Sequence, residues 1–367
     1  MILLAFLLDT ILSLVLGIVL VRSIMRYSYK NRLFDEPDGE RKIHSSPIPR
    51  LGGLSIFPVL TLVMGVSALL LIPFWRQQWI SPWSEMHAFI GLFLSLAILY
   101  GLGLKEDLGR VRSLYKFYFY TLASFAFMGF GIHYNYAGGA FGITGLPQWV
   151  WYIFTYLGFV HFLNAINLID GVNGLSTDLC IGSLATLGFM EYRERHIAYT
   201  LLAIAAICVL LAFRYFNTHG DTKKGQRIFM GDTGCWTLGI ILLFIIIHLD
   251  NLAPRDPGRH YCLIGFTTLI VPLVDMPRVG VYRMLHGHGP FHPDNNHVHH
   301  KLLAIGLHPF GVRAVILGVT ALFVVFNWWA VQHINVGFLM LINIAQYLLF
   351  IDILDQIRKH RKPASEK

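Results

Sequence analysis

The segment ILLAFLLDTILSLVLGIVLV, residues 2–21, is long enough as a helix to cross the hydrocarbon core of a bilayer, and similar runs recur along the chain. A core of about 30 Å takes roughly 20 apolar residues per helix. About eleven candidates lie at 2–21, 51–74, 87–104, 115–136, 147–165, 177–192, 196–213, 234–249, 260–277, 312–332 and 335–354. They cannot all face inward in a water-soluble fold: of 367 residues 55% are hydrophobic and only 14% charged, and the mean hydropathy is +0.57. The expected fold class is all-α, a polytopic integral membrane protein of about 10–11 transmembrane helices. One helical domain is expected over 1–355, followed by a basic tail at 356–367. The short runs flanking YRERH, residues 192–196, allow a single broken hairpin there instead of two spans.

Basic residues predict the orientation. The segments 22–50, 105–116, 214–227, 278–313 and 358–367 hold 24 of the 29 Lys and Arg, leaving Arg76, Arg193, Arg195, Arg255 and Arg259 for the other side. The positive-inside rule then puts the N-terminus outside and the C-terminus in the cytoplasm, as an odd number of spans requires. The first run lacks a basic n-region and a small-residue cleavage site, so it reads as a retained helix. The net charge of +8 follows from this topology and calls for anionic lipid rather than nucleic acid as a partner. Cys180, Cys208, Cys235 and Cys262 fall in separate runs without CxxC spacing, so neither a disulfide nor a metal is expected of them.

Five polar stretches fall on the side expected to be cytoplasmic, in or beside the loops 22–50, 105–116, 164–176, 214–233 and 278–311, whereas the outer loops read as aromatic anchors and turns. In DEPDGERKIHSSPIPRLGG, residues 35–53, Lys42, His44 and Arg50 sit in a Pro-stiffened loop, and Gly52–Gly53 let backbone approach a ligand. In LKEDLGRVRSLYK, residues 104–116, the adjacent Glu106 and Asp107 repel each other unless a cation such as Lys116 offsets them. NAINLIDGVNGLS, residues 164–176, places Asn164, Asn167 and Asp170 along one flank of a helix that Gly171 and Gly174 end. Such a row is costly against lipid and must face protein, water or a ligand. In FNTHGDTKKGQRIFMGDTGCWTLG, residues 216–239, Asp232 or Thr233 is placed to cap the next helix. Capping suits Thr233, whereas Asp232 suits a metal beside a phosphate. The stretch 274–300 carries Asp275, Arg283, Asp294, His297, His299 and His300. Its HxHH spacing is unlike the usual zinc sets and suits phosphate oxygens better.

Carboxylates, amides, cations and imidazoles at one membrane face, without a Gly-x-Ser-x-Gly nucleophile, suit phosphoryl transfer with a hard divalent cation between a soluble nucleotide and a membrane lipid. Two other classes compete. A transporter or flippase would need polar residues at mid-membrane depth and inverted repeats, whereas the acids here read as lying at helix ends on one face. A zinc-dependent membrane hydrolase would rest on the His cluster alone.

Taken together, NAINLIDGVNGLS, FMGDTG, the Glu106–Asp107 pair with Lys116, and GPFHPDNNHVHH resemble the polyprenyl-phosphate N-acetylhexosamine-1-phosphate transferases, from about Asp35 to His300. The last motif is similar to the branch that initiates O-antigen, enterobacterial common antigen or teichoic acid synthesis, and differs from the muramoyl-pentapeptide branch. The resemblance implies transfer of GlcNAc 1-phosphate from UDP-N-acetylglucosamine to undecaprenyl phosphate, with UMP released and Mg²⁺ or Mn²⁺ required. It also implies a bundle of ten or eleven helices in the bacterial inner membrane, with the site facing the cytoplasm, in a family often found as homodimers. Carried over by position, Asp232 and Asp170 are expected as metal ligands, and Glu106, Asp107, Lys116, Asp170 and Asn173 at the catalytic positions. Substrate contacts are expected from Lys42, His44, Arg50, Asn164, Asn167, Asn217, Arg283, Asp294, His297, His299 and His300. Two residues depart from the family pattern: Glu106 replaces the first Asp of a pair, and Asn173 replaces the second Asp of DGxDG.

Overall fold

A computed structural model describes residues 2–34, 47–75, 82–136, 139–143, 145–221, 224–252, 260–290, 292 and 294–361. Among these residues the fold is all-α, with no strand. The helices are α1 (Ile2–Lys30), α2 (Ile56–Trp75), α3 (Pro82–Leu108), α4 (Ser113–Gly129), α5 (Gln148–Ile169), α6 (Leu175–Arg193), α7 (Ile197–His219), α8 (Gly231–Leu252), α9 (Tyr261–Thr267), α10 (Ile270–Leu285), α11 (Val298–Ala304), α12 (Pro309–Ala330) and α13 (Val336–Arg361). The chain is a multi-pass membrane protein. Among the described residues eight helices are long and apolar enough to cross a bilayer, and a ninth span forms if α9 and α10, bent by 71°, count as one. Each of the eleven expected stretches contains a helix, although 115–136 is helical only as far as Gly129. The three outside the eight are the 17-residue α4, the less apolar α6, and the broken α9–α10 pair.

Helix α8 is the axis of the bundle. Its sequence CWTLGIILLFIII is apolar all round, which is what a helix enclosed by other helices requires. It is accordingly buried along nearly its whole length, against α3, α5, α6 and α9. By contrast α1, α12 and α13 bury only about a quarter to a third of their apolar windows, leaving Leu3, Leu322 and Val325 facing outward as lipid-facing residues do.

Several stretches expected as loops are helical. Residues 22–30 continue α1, 214–219 close α7, 278–285 close α10, and the tail is helical to Arg361. Lys30 and Arg283 thereby occupy last turns, where cations complement the helix dipole. The C-termini of α1, α3, α5 and α7 and the N-terminus of α8 meet at one end of the bundle, here called the basic end.

Acids are not confined to that end. Glu85, Glu191, Glu194 and Asp250 lie at the other, and Asp9 is buried within α1, where Ser67 Oγ donates to it at 3.1 Å. The reading that placed the acids at helix ends on one face is corrected by these five positions. Interhelical packing hides such side chains in ways an apolar run does not reveal.

Candidate active site

The site is built on the N-terminus of α8. Gly53 N–H donates to Met230 O at 2.8 Å and Gly52 N–H to Phe229 O at 2.9 Å, so residues 49–53 lie along 228–230. A Cβ on Gly53 would stand 2.3 Å from Gly234 Cα. The Gly pair therefore serves a backbone-to-backbone approach within the protein rather than the expected approach to a ligand. Asn217 Nδ2 donates to Ile228 O at 2.9 Å and ties the same segment to α7, which makes its role here one of holding the loop.

The cap of α8 comes from another helix. Asp107, in the last turn of α3, accepts from Asp232 N at 2.8 Å, from Thr233 N at 3.2 Å and from Thr233 Oγ1 at 2.6 Å. The expectation that Asp232 or Thr233 caps this helix is thus corrected: a carboxylate from α3 takes the free N–H groups, where negative charge is favoured. Asp107 is committed to these bonds, and the Asp232 side chain is left to point elsewhere. Asn167 Nδ2 donates to Asp232 Oδ1 at 2.9 Å, and Lys116 Nζ lies 3.7 Å from Oδ2.

Lys116 also pairs with Glu106 at 2.8 Å, the offset expected for the acidic pair, and Glu106 accepts from Val111 N at 2.8 Å. Asp170 follows the end of α5 as its C-cap and accepts from Ser176 Oγ. Burial, eased by bonds from Ser176 and Cys235 and reinforced by the charge of Asp232, lifts its carboxyl to about 7, while Arg50 acts in the opposite direction. Asp170, Asp232 and Arg50 thus share one electrostatic neighbourhood. Asn164 does not join it: its Nδ2 turns back to Val160 O at 2.7 Å within α5.

The His-rich loop closes over this group. A Cβ on Gly171 would stand 2.3 Å from His299 Nε2, so only glycine lets the imidazole lie on the α5–α6 turn. His299 is 1% exposed and its Nδ1 has no partner among the described residues. Burial, with the neighbouring charges of His300 and His297, lowers its pKa to about 3 and keeps the ring neutral. Asp275 anchors the loop, accepting from Val298 N at 3.2 Å, Tyr347 OH at 2.9 Å and Arg278 Nη2 at 2.7 Å, and lying 2.8 Å from His297 Nδ1. Arg283 grips Asp294 with two bonds of 2.9 and 2.8 Å. His297, Arg283 and Asp294 are therefore engaged in folding the loop, whereas His299 and the adjacent His300 lie toward the α5–α6 turn. Lys42 and His44 lie outside the described residues.

Several interactions were not read from the sequence. Asp178 is held by Arg214 through two bonds, with Arg313 3.8 Å away, and Arg313 Nη1 donates to Asn173 O at 3.3 Å. This cluster braces the turn 171–174, so Asn173 is fixed through its carbonyl rather than its side chain. Lys301 pairs with Asp355 and ties α11 to α13. The arginines here look like topogenic charge in sequence, and only the acid at 178, one helical turn into α6, hints otherwise.

Oxygen donors of Asp170 and Asp232, with Asn167 beside them, suit a hard divalent cation, which commonly takes one or two carboxylates plus substrate phosphates. The like-charge interaction of the two acids is the cost that such an ion would remove. Among the described residues the His-rich loop brings no three metal-binding side chains together.

Residues 89–250 match the model of the family described as glycosyl transferase family 4. A probable undecaprenyl-phosphate N-acetylglucosaminyl 1-phosphate transferase of Bacillus subtilis is 29% identical, over 84% of this chain and 80% of its own. The undecaprenyl-phosphate alpha-N-acetylglucosaminyl 1-phosphate transferase of Escherichia coli K12 is 25% identical, over 75% and 70%. The decaprenyl-phosphate N-acetylglucosaminephosphotransferase of Mycobacterium tuberculosis is 27% identical, over 73% and 68%. These names give the transport reading no support. The matched segment spans Glu106, Asp107, Asp170 and Asp232, and over it the chain is similar to glycosyl transferase family 4.

Proposed function

We propose that the protein transfers GlcNAc 1-phosphate from UDP-GlcNAc to undecaprenyl phosphate, releasing UMP, at the cytoplasmic face of the bacterial inner membrane. The observation that carries this reading is the meeting of Asp170 and Asp232 with Arg50, Lys116 and the neutral, partner-poor His299 at the mouth of one buried helix. The relatives' names, which print undecaprenyl phosphate and N-acetylglucosaminyl 1-phosphate, support this acceptor and this transferred group, and the concentration of Lys and Arg at this end supports the orientation.

Asp170 and Asp232 would hold Mg²⁺ or Mn²⁺, which when bound supplies neutralisation of diphosphate charge. A lipid phosphate oxygen attacks the phosphorus bearing the sugar, and the bond to the uridine phosphate breaks as UMP departs. The acceptor is already ionised near neutral pH, so it needs positioning and charge compensation more than a base, and direct attack is sufficient. Lys116 and Arg50 spread the developing negative charge. His299, held neutral on Gly171, hydrogen-bonds a phosphate or sugar oxygen. Asp107 fixes the α8 terminus, and Asn167 orients Asp232.

Purified protein given UDP-GlcNAc and undecaprenyl phosphate should release UMP only with a divalent cation, and Asp232→Asn should stop release while leaving the helical fold intact. UDP or inorganic phosphate as the product would overturn the proposal. Running UDP-GalNAc, UDP-QuiNAc and UDP-MurNAc-pentapeptide beside UDP-GlcNAc, with mass identification of the lipid product, fixes the sugar.

A further inference from the structure

At the end of the bundle away from these carboxylates, side chains from α6, the α6–α7 turn and α8 converge. Glu191 in the last turn of α6 is 0% exposed. Its Oε1 lies 2.8 Å from His248 Nδ1, near the end of α8, and its Oε2 lies 3.0 Å from His196 Nδ1, in the α6–α7 turn. We propose that Glu191, His196 and His248 form a binding site for a divalent transition ion of the zinc type, separate from the transferase centre.

The donor set is two imidazoles and one carboxylate, with all three ligand atoms within 4.8 Å of one another, a combination that zinc accepts with a fourth position open. Donors around a tetrahedral zinc at about 2.0–2.1 Å stand about 3.3 Å apart, so loading it exchanges the imidazole protons and widens the two contacts by a few tenths of an ångström. The surroundings favour a cation. The charges of Glu85 and Glu194 act on Glu191, and Glu85 also acts on His248. No Lys or Arg pairs with Glu191 among the described residues. A dication offsets this concentration of carboxylates. Second, the ligands are held in place: His248 stacks on Tyr199 with centroids 3.6 Å apart and planes 10° apart, and the two histidine rings stand at 80°. Third, the site is reachable, since His196 and His248 are 22% and 19% exposed. An ion here pins the α6–α7 turn to the far end of α8, the helix whose opposite terminus carries Asp232.

The test uses the full-length protein without a polyhistidine tag, stripped with chelator and titrated with Zn²⁺ alone in the presence of Mg²⁺. One zinc per chain is expected, with a rise in Tm that grows with zinc concentration. His196→Gln with His248→Gln should weaken binding by at least the about 10–100-fold that losing even an outer partner of a metal site costs. His288→Gln with His292→Gln in the other His-rich region, and Asp232→Asn, should keep the zinc. Should the first pair fail to fold, Co²⁺ substitution of the wild type decides: a four-coordinate spectrum with two imidazoles supports the site. No stoichiometric zinc, zinc lost with His288 and His292 instead, or a six-coordinate cobalt spectrum overturns it. Because zinc binding is read without turnover, it can fail or succeed independently of the transferase proposal.

Discussion

Replacing Asp107 by asparagine keeps the side chain's size and removes its charge from the start of α8. The carboxylate accepts three bonds there, at 2.8, 3.2 and 2.6 Å. Asparagine keeps one oxygen for Asp232 N and turns an NH₂ toward Thr233 N–H, so one donor is left facing another. With charge-assisted bonds worth about 1.5–3 kcal/mol each and the dipole interaction also weakened, the expected loss of stability is about 2–4 kcal/mol. Thr233→Val removes only the hydroxyl bond and should cost about 1–3 kcal/mol alone, but much less in the Asp107→Asn background, since the two share that bond. UMP release should fall about 10–100-fold in Asp107→Asn, in step with stability, because Asp232 is displaced rather than a reacting group removed. Thermal unfolding in detergent and the UMP assay on the four proteins of the cycle give both readouts. A loss of activity beyond about 10⁴-fold with unaltered stability and no coupling to Thr233 would refute the reasoning and make Asp107 a catalytic residue.

Gly171→Ala places a methyl 2.3 Å from His299 Nε2 and should cut UMP release about 100-fold while lowering Tm; near-normal turnover would show that the imidazole's position is unimportant. Asp178→Asn frees Arg214 and Arg313 and should cost about 1–2 kcal/mol, since the pairs are partly exposed, with KM for the UDP-sugar rising more than kcat falls; unfolding curves and initial rates check both. Burial tends to raise the Asp294 carboxyl, but the bonds from Arg283 and Asn296 outweigh it and hold the carboxyl at about 2 against an ordinary 3.8. Its contribution to stability is therefore complete above about pH 4 and lost as pH falls towards 2. Asp294→Asn should flatten that part of the acid-unfolding profile, and an unchanged profile would count against the Arg283 pairing.

The architecture was legible because lipid leaves few choices: an apolar run of about 20 residues must be a helix, and polar residues must gather where lipid is absent. Asp170, Asp232, Asn167, Lys116 and His299 stood out for that reason, and the structure brings them to one end of the bundle. Sequence separated bonding roles less well. Asp107 and Asp232 look alike as acids at helix ends, yet one caps α8 and the other is left for chemistry, a difference set by a contact across 125 residues. Arg214 and Arg313 are indistinguishable from topogenic charge until Asp178 is seen between them. Glu191, His196 and His248 lie in segments whose spacing of 5 and 52 residues follows no motif, so only the packing of α6, α7 and α8 shows them as a group.

In the proposed site Asp170, at the end of α5, and Asp232 of α8 hold one cation against a diphosphate under His299. The most direct measurement is the anomalous scattering of Mn²⁺ in a structure of the protein with UDP-GlcNAc. A manganese peak bonded to Asp170 and Asp232 is expected, with the sugar diphosphate between it, Arg50 and His299. Manganese held by Glu106 or Asp107 instead, or a nucleotide bound away from His299, would contradict it.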